Sequence, residues 1–599
     1  MNEKLLKKII TCDLCIVGGG LSGTFAALAA ARHGATVVLM QDRPMLGGNA
    51  SSEIRMWVRG AKGKYDRETG LLSEWEERII YHNPTLVPSL TDAILYDMVT
   101  ENPNITLLLN TSCLDARTEG GRILSVTGWQ MTTYTYMTVE ASLFMDCSGD
   151  SILAPLTGAE YRKGREASSE YGETLAPKEA DTHTMGMSII LAARETDHPV
   201  PFVPPAFANV YPDDSCFDSG RGKGMYSLSR GHQVGTSKDN LWWVELGGEG
   251  DSIYDADRLR DELLASIYGV WDHIKNYGDH GAENWDLEWV GFLPGKRESR
   301  RYVGEYVMTE GDVVSGGHFG DEIAFGGWPL DDHNPYGMRQ SGEQNIPSVV
   351  ISLSEIYGIP LRCLYSKNVE NLMFAGRNIS VTHAALSSTR VMGTCALLGQ
   401  AAGTAAAVAL GHGVSIAQAA ASHCGEIQRL LMDDGVFLPH LLRLPSEQTR
   451  RAALNLSAAE RAILLNGYDR PRCDEVENGI WQQVGDRLCF RFEEAEQIGT
   501  LRLQLDPDFE RMSISDNKKM RVFAMKLHTG KDFRPVRVAS TLVKSFAVLA
   551  DGVEVYRADN NIHALVKIPL NLRAKELAVV WLETWGAEKV HLFSADLLV

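Results

Sequence analysis

The chain has 599 residues, a formal net charge of −19, and 44% hydrophobic and 23% charged residues. This length exceeds what one hydrophobic core usually serves, so two or three domains are expected, and the composition excludes general disorder. The acidic balance lacks the basic footprint of a nucleic-acid binder, and it also argues against an anionic membrane surface as a partner.

Residues 11 to 41 predict a strand, a glycine turn, a helix and a second strand. "CDLCIVG" is apolar and reads as the first strand rather than as a secretory signal, because it leads directly into a glycine loop. "TFAALAAARHG" is a small-residue helix that stops at Gly34, and "ATVVLMQ" is the next strand. Residues 1–160 are therefore predicted to form the first part of a Rossmann-type α/β domain.

The rest of the chain changes character three times. Residues 161–365 are richer in aromatics, glycine and charge, and are predicted to be an inserted α+β domain that faces the substrate. Residues 366–450 resume the first fold with "NLMFAGRN" and an apolar helix near Thr394–Leu410, and 451–465 form a linker. Residues 466–599 carry strand-length apolar segments between turn residues, which predict a C-terminal all-β sandwich.

Ten cysteines are scattered along the sequence, and two of them, Cys12 and Cys15, form a CxxC motif. Both fall on the predicted first strand, where residues three apart face opposite sides, so a disulfide between them is not expected. We expect reduced cysteines and a cytoplasmic protein. No spacing of histidines and cysteines indicates a metal site.

The loop between the first strand and helix reads Gly18-Gly19-Gly20-Leu21-Ser22-Gly23, which satisfies GxGxxG in the strand-turn-helix context that the motif requires. Gly18 permits the tight turn, Gly20 lets a pyrophosphate approach the backbone, and Gly23 allows close packing of helix and strand. The helix N-terminus offers its free N–H groups to the phosphates. The loop therefore predicts dinucleotide binding, with Leu21 and Ser22 among the contacts.

An acidic residue usually ends the second strand and accepts a hydrogen bond from a ribose hydroxyl. Gln41 occupies this position and is followed by Asp42 and Arg43. An amide carbonyl can accept the same bond, so Gln41 is the favoured ribose contact and Asp42 the alternative.

Three further segments favour FAD over NAD. The double glycine Gly47-Gly48 follows the second strand within "DRPMLGGNASSE" and lets the chain pass close to a long cofactor. "MDCSGD" and "NLMFAGRNIS" are later strands that end in glycine turns. The predicted cofactor contacts beyond the first loop are Gln41, Asp42, Arg43, Gly47, Gly48, Asn49, Ser51, Ser52, Cys113, Ser148, Gly149, Asp150, Gly376, Arg377 and Asn378.

These segments, with "PGKRESRR" and "VTHAALSSTRVMGTCALLGQAAGTAAA", resemble the bacterial FAD-dependent oxidoreductases of the glutathione-reductase-like class, which are distantly similar to fumarate reductase and succinate dehydrogenase flavoproteins. The resemblance spans roughly residues 11 to 410. It implies that Gly376 and Arg377 approach the flavin, and that a helix beginning near Gly399 and Gln400 points its N-terminus at the pyrimidine edge. Some relatives attach FAD through a histidine after the double glycine. "NASSEIRM" contains none, so non-covalent FAD is predicted.

Four residues are candidates for chemistry. The resemblance places His383 beside the flavin ring, where it could act as a base or merely bind flavin. Arg390 lies seven residues on, and either binds a polar or anionic substrate or braces the loop. Arg297 and Arg300 belong to the dense charge cluster "PGKRESRR", which is either a solvated run or an anion clamp.

These observations predict an FAD-dependent oxidoreductase that transfers a hydride between a small polar substrate and FAD. Oxidation of an alcohol on a carbohydrate-like molecule is preferred, by analogy with sugar-binding β-sandwiches. Reduction of an unsaturated carboxylate is the main alternative. A non-catalytic flavin-binding protein and an NAD enzyme are the remaining hypotheses. The expected partner is a small-molecule substrate, and a homo-oligomer is left open.

Overall fold

The computed structural model of the chain describes residues 4–63, 65–213, 241–277, 280–339, 348–471, 477–508 and 535–598. These residues divide into two compact units. Unit 1 comprises the described residues within Met1–Lys62 and Thr85–Gln428, and unit 2 comprises those within Gly63–Pro84, Arg429–Val522 and Pro535–Val599.

Unit 1 mixes short strands with helices. Its strands are β1 (Leu6–Val17), β2 (Val37–Met40), β3 (Ile105–Leu108), β4 (Thr111–Glu119), β5 (Arg122–Gln130), β6 (Thr135–Asp146), β7 (Tyr161–Arg162), β8 (Met187–Glu195), β9 (Leu241–Leu246), β10 (Trp285–Val290), β11 (Gly295–Lys296), β12 (Arg301–Tyr302), β13 (Glu322–Gly326), β14 (Leu330–His333), β15 (Ser348–Ile351), β16 (Tyr357–Pro360) and β17 (Leu372–Phe374).

The helices of the described chain are α1 (Leu21–Arg32), α2 (Leu71–His82), α3 (Pro88–Thr100), α4 (Leu153–Thr157), α5 (Ser168–Tyr171), α6 (Ala256–Asn276), α7 (Glu310–Val314), α8 (His383–Thr389), α9 (Met392–His412), α10 (Ile416–Ser422), α11 (Cys424–Asp433), α12 (Glu447–Arg451) and α13 (Ala458–Leu464). By length and composition α9 could cross a membrane, but 94% of its apolar window is buried inside the protein. It packs as a core helix against α1.

The main sheet of unit 1 has seven strands in the order β3-β2-β1-β6-β5-β4, with β17 also paired to β6. Strands β1, β2, β3, β6 and β17 run parallel, and β4 and β5 are antiparallel additions. The β1–α1–β2 connection is the predicted βαβ unit, and it forms because an apolar strand, a small-residue helix and a second apolar strand follow one another. The N-terminal α/β sheet confirms the predicted fold class.

The register of this sheet brings distant segments to one edge. Val17 at the end of β1 lies opposite Met40 at the end of β2 and opposite Asp146 at the end of β6. Asp146 also lies opposite Phe374, the last residue of β17. Since these strands are parallel, the loops that follow them meet at the same carboxyl edge, which is where open α/β sheets bind ligands.

The middle of unit 1 carries a smaller antiparallel sheet in which β8 pairs with β9, β10 and β11. Helix α6 buries Leu263, Ile267 and Trp271 in one apolar cluster with strand residues such as Ile189 and Val244. Three two-stranded pairs, β7–β12, β13–β16 and β14–β15, complete this part. This part mixes helix with antiparallel strands and does not separate from the Rossmann-type sheet as a compact unit of its own, so the inserted α+β domain stays a prediction.

Unit 2 is built on antiparallel strands, which are β18 (Ala453–Leu454), β19 (Ile480–Gln483), β20 (Arg487–Leu505), β21 (Val543–Ala550), β22 (Val553–Ala558), β23 (Leu565–Thr584) and β24 (Lys589–Leu598). They form one hydrogen-bonded network in the order β19-β24-β20-β23-β21-β22, with β18 on β20. The long strands β20 and β23 change register twice where they pair. The all-β character of the C-terminal region is confirmed, and its two-layer sandwich packing stays a prediction.

Unit 2 also contains α2, although the sequence interpretation assigned residues 1–160 to the α/β domain. The reason lies in its contacts with the C-terminal strands. His563 Nδ1 lies 3.0 Å from Glu77 Oε2, and the rings of Tyr81 and Trp585 meet edge-on at 5.8 Å. The predicted domain boundaries therefore differ from the compact units in two segments, Gly63–Pro84 and residues 429–450, both of which belong to unit 2.

Candidate cofactor and substrate cavity

The first glycine loop turns directly from β1 into α1. Gly18 has φ of +103°, and a Cβ there would lie 2.4 Å from the main-chain carbon of Cys147. A Cβ on Gly23 would lie 1.8 Å from the carbonyl oxygen of Gly18. Any larger residue at either position would break the turn or push the helix from the strand, so these two glycines hold the loop against the end of β6.

The double glycine forms the opposite side of a backbone cradle. Gly47 has φ of +103°, and its N–H donates to the carbonyl oxygen of Gly19 at 2.9 Å. A Cβ on Gly48 would lie 3.1 Å from the Cα of Gly20, whereas a Cβ on Gly20 would meet nothing closer than 4.0 Å. The two loops therefore lie backbone to backbone, with open space at Gly20 where a phosphate group can approach.

Gln41 is buried and braces both loops. Its Oε1 accepts the Gly19 N–H at 2.7 Å, and its Nε2 donates to the carbonyl oxygen of Met45 at 3.2 Å. Asp42 is exposed and pairs with Arg43 at 3.6 Å. The amide oxygen of Gln41 is thus already used by the loop, which leaves the Asp42 carboxylate as the freer acceptor for a ribose hydroxyl.

Asp150, after β6, connects two other predicted segments. Its carboxylate lies 2.5 Å from Arg377 Nη2 and 2.6 Å from Lys296 Nζ, and it accepts a hydrogen bond from Ser299 Oγ at 2.8 Å. Burial raises the pKa of Asp150, but Arg377 and Lys296 outweigh it and the pKa lies below its usual value. Arg377 keeps a buried Nε without a hydrogen-bond partner among the described residues.

Helix α9 begins earlier than the resemblance implied. Its first residue is Met392 and its N-cap is Val391, so Gly399 and Gln400 lie about two turns inside it. A Cβ on Gly399 would lie 2.1 Å from the carbonyl oxygen of Ser22, which makes Gly399 a packing glycine between α9 and α1. The expectation that the helix starts near Gly399 and Gln400 is therefore wrong, and the N-terminal residues that face the ligand space are Val391, Met392 and Cys395.

A cavity of about 580 Å³ runs along these elements, a volume typical of small-molecule and cofactor sites. Most predicted cofactor contacts line it, namely Gly18, Gly20, Leu21, Ser22, Gln41, Asp42, Arg43, Gly47, Gly48, Asn49, Ser51, Cys113, Ser148, Gly149, Asp150, Gly376 and Arg377.

The predicted contacts that do not line the cavity have other partners. The Ser52 N–H donates to the Asp92 carboxylate at 3.0 Å, and Asn378 is buried with its Nδ2 3.3 Å from the carbonyl oxygen of Asp146. Gly23 and Gly399 are packing glycines, and Gln400 is a buried residue of α9.

The predicted arginines all line the cavity, in different surroundings. Arg297 is buried, with Nη2 3.2 Å from the Glu245 carboxylate. Arg300 lies over the rings of Tyr161 and Tyr254, at 5.4 and 5.7 Å from their centres. Arg390 donates from Nη2 to the carbonyl oxygen of Asp331 at 3.0 Å.

His383 does not line the cavity. Its Nδ1 lies 2.9 Å from Glu298 and its Nε2 2.9 Å from Asp332, and the side chain is buried. Burial alone would lower the pKa of His383, but Glu298 and Asp332 raise it to about 10. An imidazole that is protonated at neutral pH and bonded at both nitrogens cannot accept a proton from a substrate.

The sequence interpretation missed the histidine that does face the cavity. His333 Nδ1 lies 2.8 Å from Glu245 Oε2, and its Nε2 lies 3.4 Å from Asp331 Oδ2. Asp331 and His333 alternate with Asp332 on β14, so they point to the cavity while Asp332 points to His383. The alternation of side chains along the strand "LDDH" is the sequence signal that could have identified Asp331 and His333 as residues of one face. The aromatic lining of Trp57 and Trp328 was also missed.

The residues present fit a dinucleotide cofactor. The Gly18–Gly23 and Gly47–Gly48 loops leave a cradle that Cβ atoms would fill, the start of α1 borders it, and the unpartnered Nε of Arg377 belongs to a cavity-lining residue. A Rossmann-type sheet with a cavity along its carboxyl edge is typical of dinucleotide-binding proteins. The second glycine loop and the later glycine turns, which also line this cavity, are typical of those that bind FAD.

Comparison with known protein families identifies the family to which the chain belongs. The family described as FAD dependent oxidoreductase matches residues 13–431, and the chain belongs to it. The protein is therefore an FAD-dependent oxidoreductase, which confirms the predicted cofactor and enzyme class. A search of curated proteins found no match.

The chain also matches solved structures, at low sequence identity and low TM-scores. L-proline dehydrogenase from P. horikoshii is 22% identical over 24% of this chain and 23% of its own, with a TM-score of 0.16. A geranylgeranyl bacteriochlorophyll reductase-like protein from Thermoplasma acidophilum is 13% identical over 71% and 86%, with a TM-score of 0.30. E. coli quinol fumarate reductase is 10% identical over 71% and 75%, with a TM-score of 0.27.

Proposed function

We propose that this enzyme transfers a hydride between a small polar substrate and non-covalently bound FAD. The observation that carries the proposal is the cavity itself. The glycine loops line part of it, and Asp331, His333 and Arg390 line the same space. The bound FAD supplies the hydride acceptor or donor, and the protein supplies binding, orientation and proton transfer.

His333 is the proposed proton-transfer residue, in place of His383. Its partner Glu245 is fully buried, and although burial raises the pKa of that carboxyl, Arg297 and His333 hold it below its usual value. Glu245 therefore stays ionised and orients the Nδ1–H of His333. Nε2, which lies 3.4 Å from Asp331 Oδ2, is the atom that we propose exchanges a proton with a substrate hydroxyl entering the cavity.

Arg390 is the proposed anchor for a substrate oxygen. Its Nη2 is bonded to a main-chain carbonyl, its closest carboxylate atom, Asp331 Oδ2, lies 4.0 Å away, and its buried Nε has no hydrogen-bond partner among the described residues. Burial lowers the pKa of Arg390, and Asp331 only partly opposes this. A substrate oxygen would complete its hydrogen bonding, and Trp57 and Trp328 line the same cavity.

Oxidation of an alcohol on a carbohydrate-like molecule is the preferred direction, since His333 can accept the hydroxyl proton while the carbon gives up hydride. Reduction of an unsaturated carboxylate is the second candidate, and the incompletely bonded Arg390 favours it because guanidinium groups bind carboxylates. In that reaction one alkene carbon receives the hydride, and a protonated His333 delivers a proton to the neighbouring alkene carbon.

Anaerobic mixing with a metabolite panel tests the function. Bleaching of the flavin by sugars or polyols is expected for alcohol oxidation, and reoxidation of photoreduced flavin by enoates for the reductase. Flavin that neither set reduces nor reoxidises would contradict both.

Non-covalent attachment predicts that denaturation releases all flavin from the chain, and flavin that stays on the unfolded polypeptide would contradict it.

We also propose a reducing, cytoplasmic setting. None of the eight cysteines that the structure describes is in a disulfide bond, and Cys12 and Cys15 share strand β1. Burial raises the pKa of Cys12 to about 11, so its thiol is a poor redox nucleophile. Thiol titration of the unfolded protein from cytoplasmic extract should find both cysteines reduced.

A further inference from the structure

Three side chains outside the cofactor cavity converge where three helices meet. His412 is the last residue of α9, His423 follows α10 as its C-cap, and Glu426 lies in the first turn of α11. One possible metal-ligand atom from each lies within 4.8 Å of the other two. The side chains are exposed or half-buried, and none of them belongs to the flavin chemistry proposed above.

We propose that His412, His423 and Glu426 form a binding site for a divalent transition metal, with Zn²⁺ the best fit. His412 Nε2 lies 2.8 Å and His423 Nδ1 3.6 Å from the same oxygen, Glu426 Oε2. Ligand atoms around a tetrahedral Zn²⁺ with bonds of 2.0–2.1 Å lie about 3.3 Å apart. Two imidazoles and one carboxylate are a ligand set that zinc accepts, with water in the fourth position.

Only side-chain rotation separates the present arrangement from coordination. The two imidazole rings stack at 3.8 Å with planes 21° apart, so their nitrogen lone pairs must turn inward to meet one ion. The backbone beneath them is already fixed, because the His423 N–H donates to Ala419 at 2.8 Å and the Glu426 N–H donates to His423 at 3.0 Å. His412 is exposed and has room to turn.

The electrostatic setting favours a cation. His412 ends a 21-residue helix, and the negative end of a helix dipole stabilises positive charge in its last turn. The Glu426 carboxylate adds a full negative charge at the same point. A bound ion would tie the end of α9 to the start of α11, whereas the other end of α9 lines the cofactor cavity through Met392 and Cys395.

The sequence spacing hides this site. Ten residues separate His412 from His423, and two separate His423 from Glu426. The sequence alone therefore predicted no metal site, because the two histidines come together only through the turn between α9 and α10.

Calorimetric titration of the tag-free, FAD-loaded enzyme with Zn²⁺ tests the proposal. One ion per chain is expected at micromolar affinity or better, with a rise in Tm that a chelator reverses. His412→Ala and the milder Glu426→Gln should each weaken binding at least tenfold while the bound flavin spectrum is unchanged.

His33→Ala is the matched control, since His33 is also a C-cap histidine, that of α1, and lies outside the cluster. It should bind Zn²⁺ like the unaltered enzyme. Failure of the unaltered enzyme to bind one ion, or equal binding by the control and by His412→Ala, would overturn the proposal. Neither result bears on the flavin reaction, which is measured separately.

Discussion

At the scale of single residues, two histidines near the cavity differ in their access to it. Each has a carboxylate near both ring nitrogens, but His333 lines the cavity and its second carboxylate is 3.4 Å away, whereas His383 does not line the cavity and both of its carboxylates are at 2.9 Å. Access to the cavity, and not nearness in sequence to flavin-binding motifs, decides which of them can exchange a proton with a substrate.

The first prediction compares these two residues. His333→Gln should slow flavin reduction by the substrate about 10²–10⁴-fold, the usual contribution of a general base, without loss of bound FAD. His383→Gln should leave the rate per folded molecule within a few-fold of normal. Stopped-flow absorbance of the flavin measures both, and equal losses in the two variants would contradict the assignment.

The second prediction concerns how the stability of the fold depends on pH, and it follows from the raised pKa of His383. The folded-state pKa of about 10 lies above the ordinary value of 6.5. A raised pKa stabilises the folded state fully below pH 6.5, and this stabilisation is lost as the pH rises through about 10.

Urea unfolding of the unaltered enzyme and of His383→Gln should therefore give a difference in unfolding free energy that is large at pH 7 and shrinks toward pH 10. The comparison cancels the titration of other groups. A difference that does not change with pH would show that His383 is not protonated in the folded protein.

The glycine loops could be predicted residue by residue, because their constraint is local. Gly18 and Gly47 need a left-handed backbone wherever the rest of the chain lies. The proton-transfer residue could not be predicted in this way. The proposed role of His333 depends on its contact with Glu245, which lies nearly ninety positions earlier in the sequence, and on the residues that line the cavity. Gln41 was predicted in part: its place beside the glycine loop followed from the sequence, but its hydrogen bond to Gly19 did not.

At the scale of elements, α1 and α9 approach closely enough to need glycine. Cβ atoms on Gly399 and Gly403 would lie 2.1 and 2.2 Å from the carbonyl oxygens of Ser22 and Ala26. The apolar, small-residue composition predicted both helices, but the pairing of these particular residues depends on the crossing of two helices distant in sequence. This crossing also explains why Gly399 is a packing residue and not a flavin contact.

The third prediction tests this contact. Gly399→Ala should lower the free energy of unfolding by about 1–3 kcal/mol, as overpacking does, and weaken FAD binding because Ser22 lines the cofactor cavity. Gly411→Ala is the control on the same helix, since its Cβ would meet no atom within 4 Å. It should stabilise the protein by up to ~1 kcal/mol through helix propensity. Chemical unfolding measures the stability of each variant, and flavin titration measures its affinity for FAD. If Gly399→Ala and Gly411→Ala had similar effects, α1 and α9 would not cross as closely as proposed.

At the scale of the whole molecule, the strand and helix classes were predictable, but the assignment of residues 63–84 and 429–450 to a compact unit was not. Local patterns identified the βαβ unit and the C-terminal strands because periodicity and turns are local properties. They placed residues 63–84 with the α/β domain by sequence order. Contacts instead join this segment to unit 2, and the Val536 N–H, for example, donates to the carbonyl oxygen of Pro84, two residues after α2, at 2.9 Å.

The last prediction follows from this assignment. A variant that ends at Leu465, before the predicted sandwich, removes His563 and Trp585, which contact α2, and Val536, which contacts Pro84 just after it. Its buried residues Leu71, Trp75 and Ile79 then lose their apolar surroundings, at about 1.5–3 kcal/mol for each large side chain.

Amide hydrogen exchange should show that α2 loses protection in this variant, while α3, which belongs to unit 1, keeps it. The comparison of two helices in one chain separates local loss from general unfolding. If α2 stays as protected as α3, its stability comes from unit 1, and Gly63–Pro84 is then a part of the α/β domain as its place in the sequence indicates.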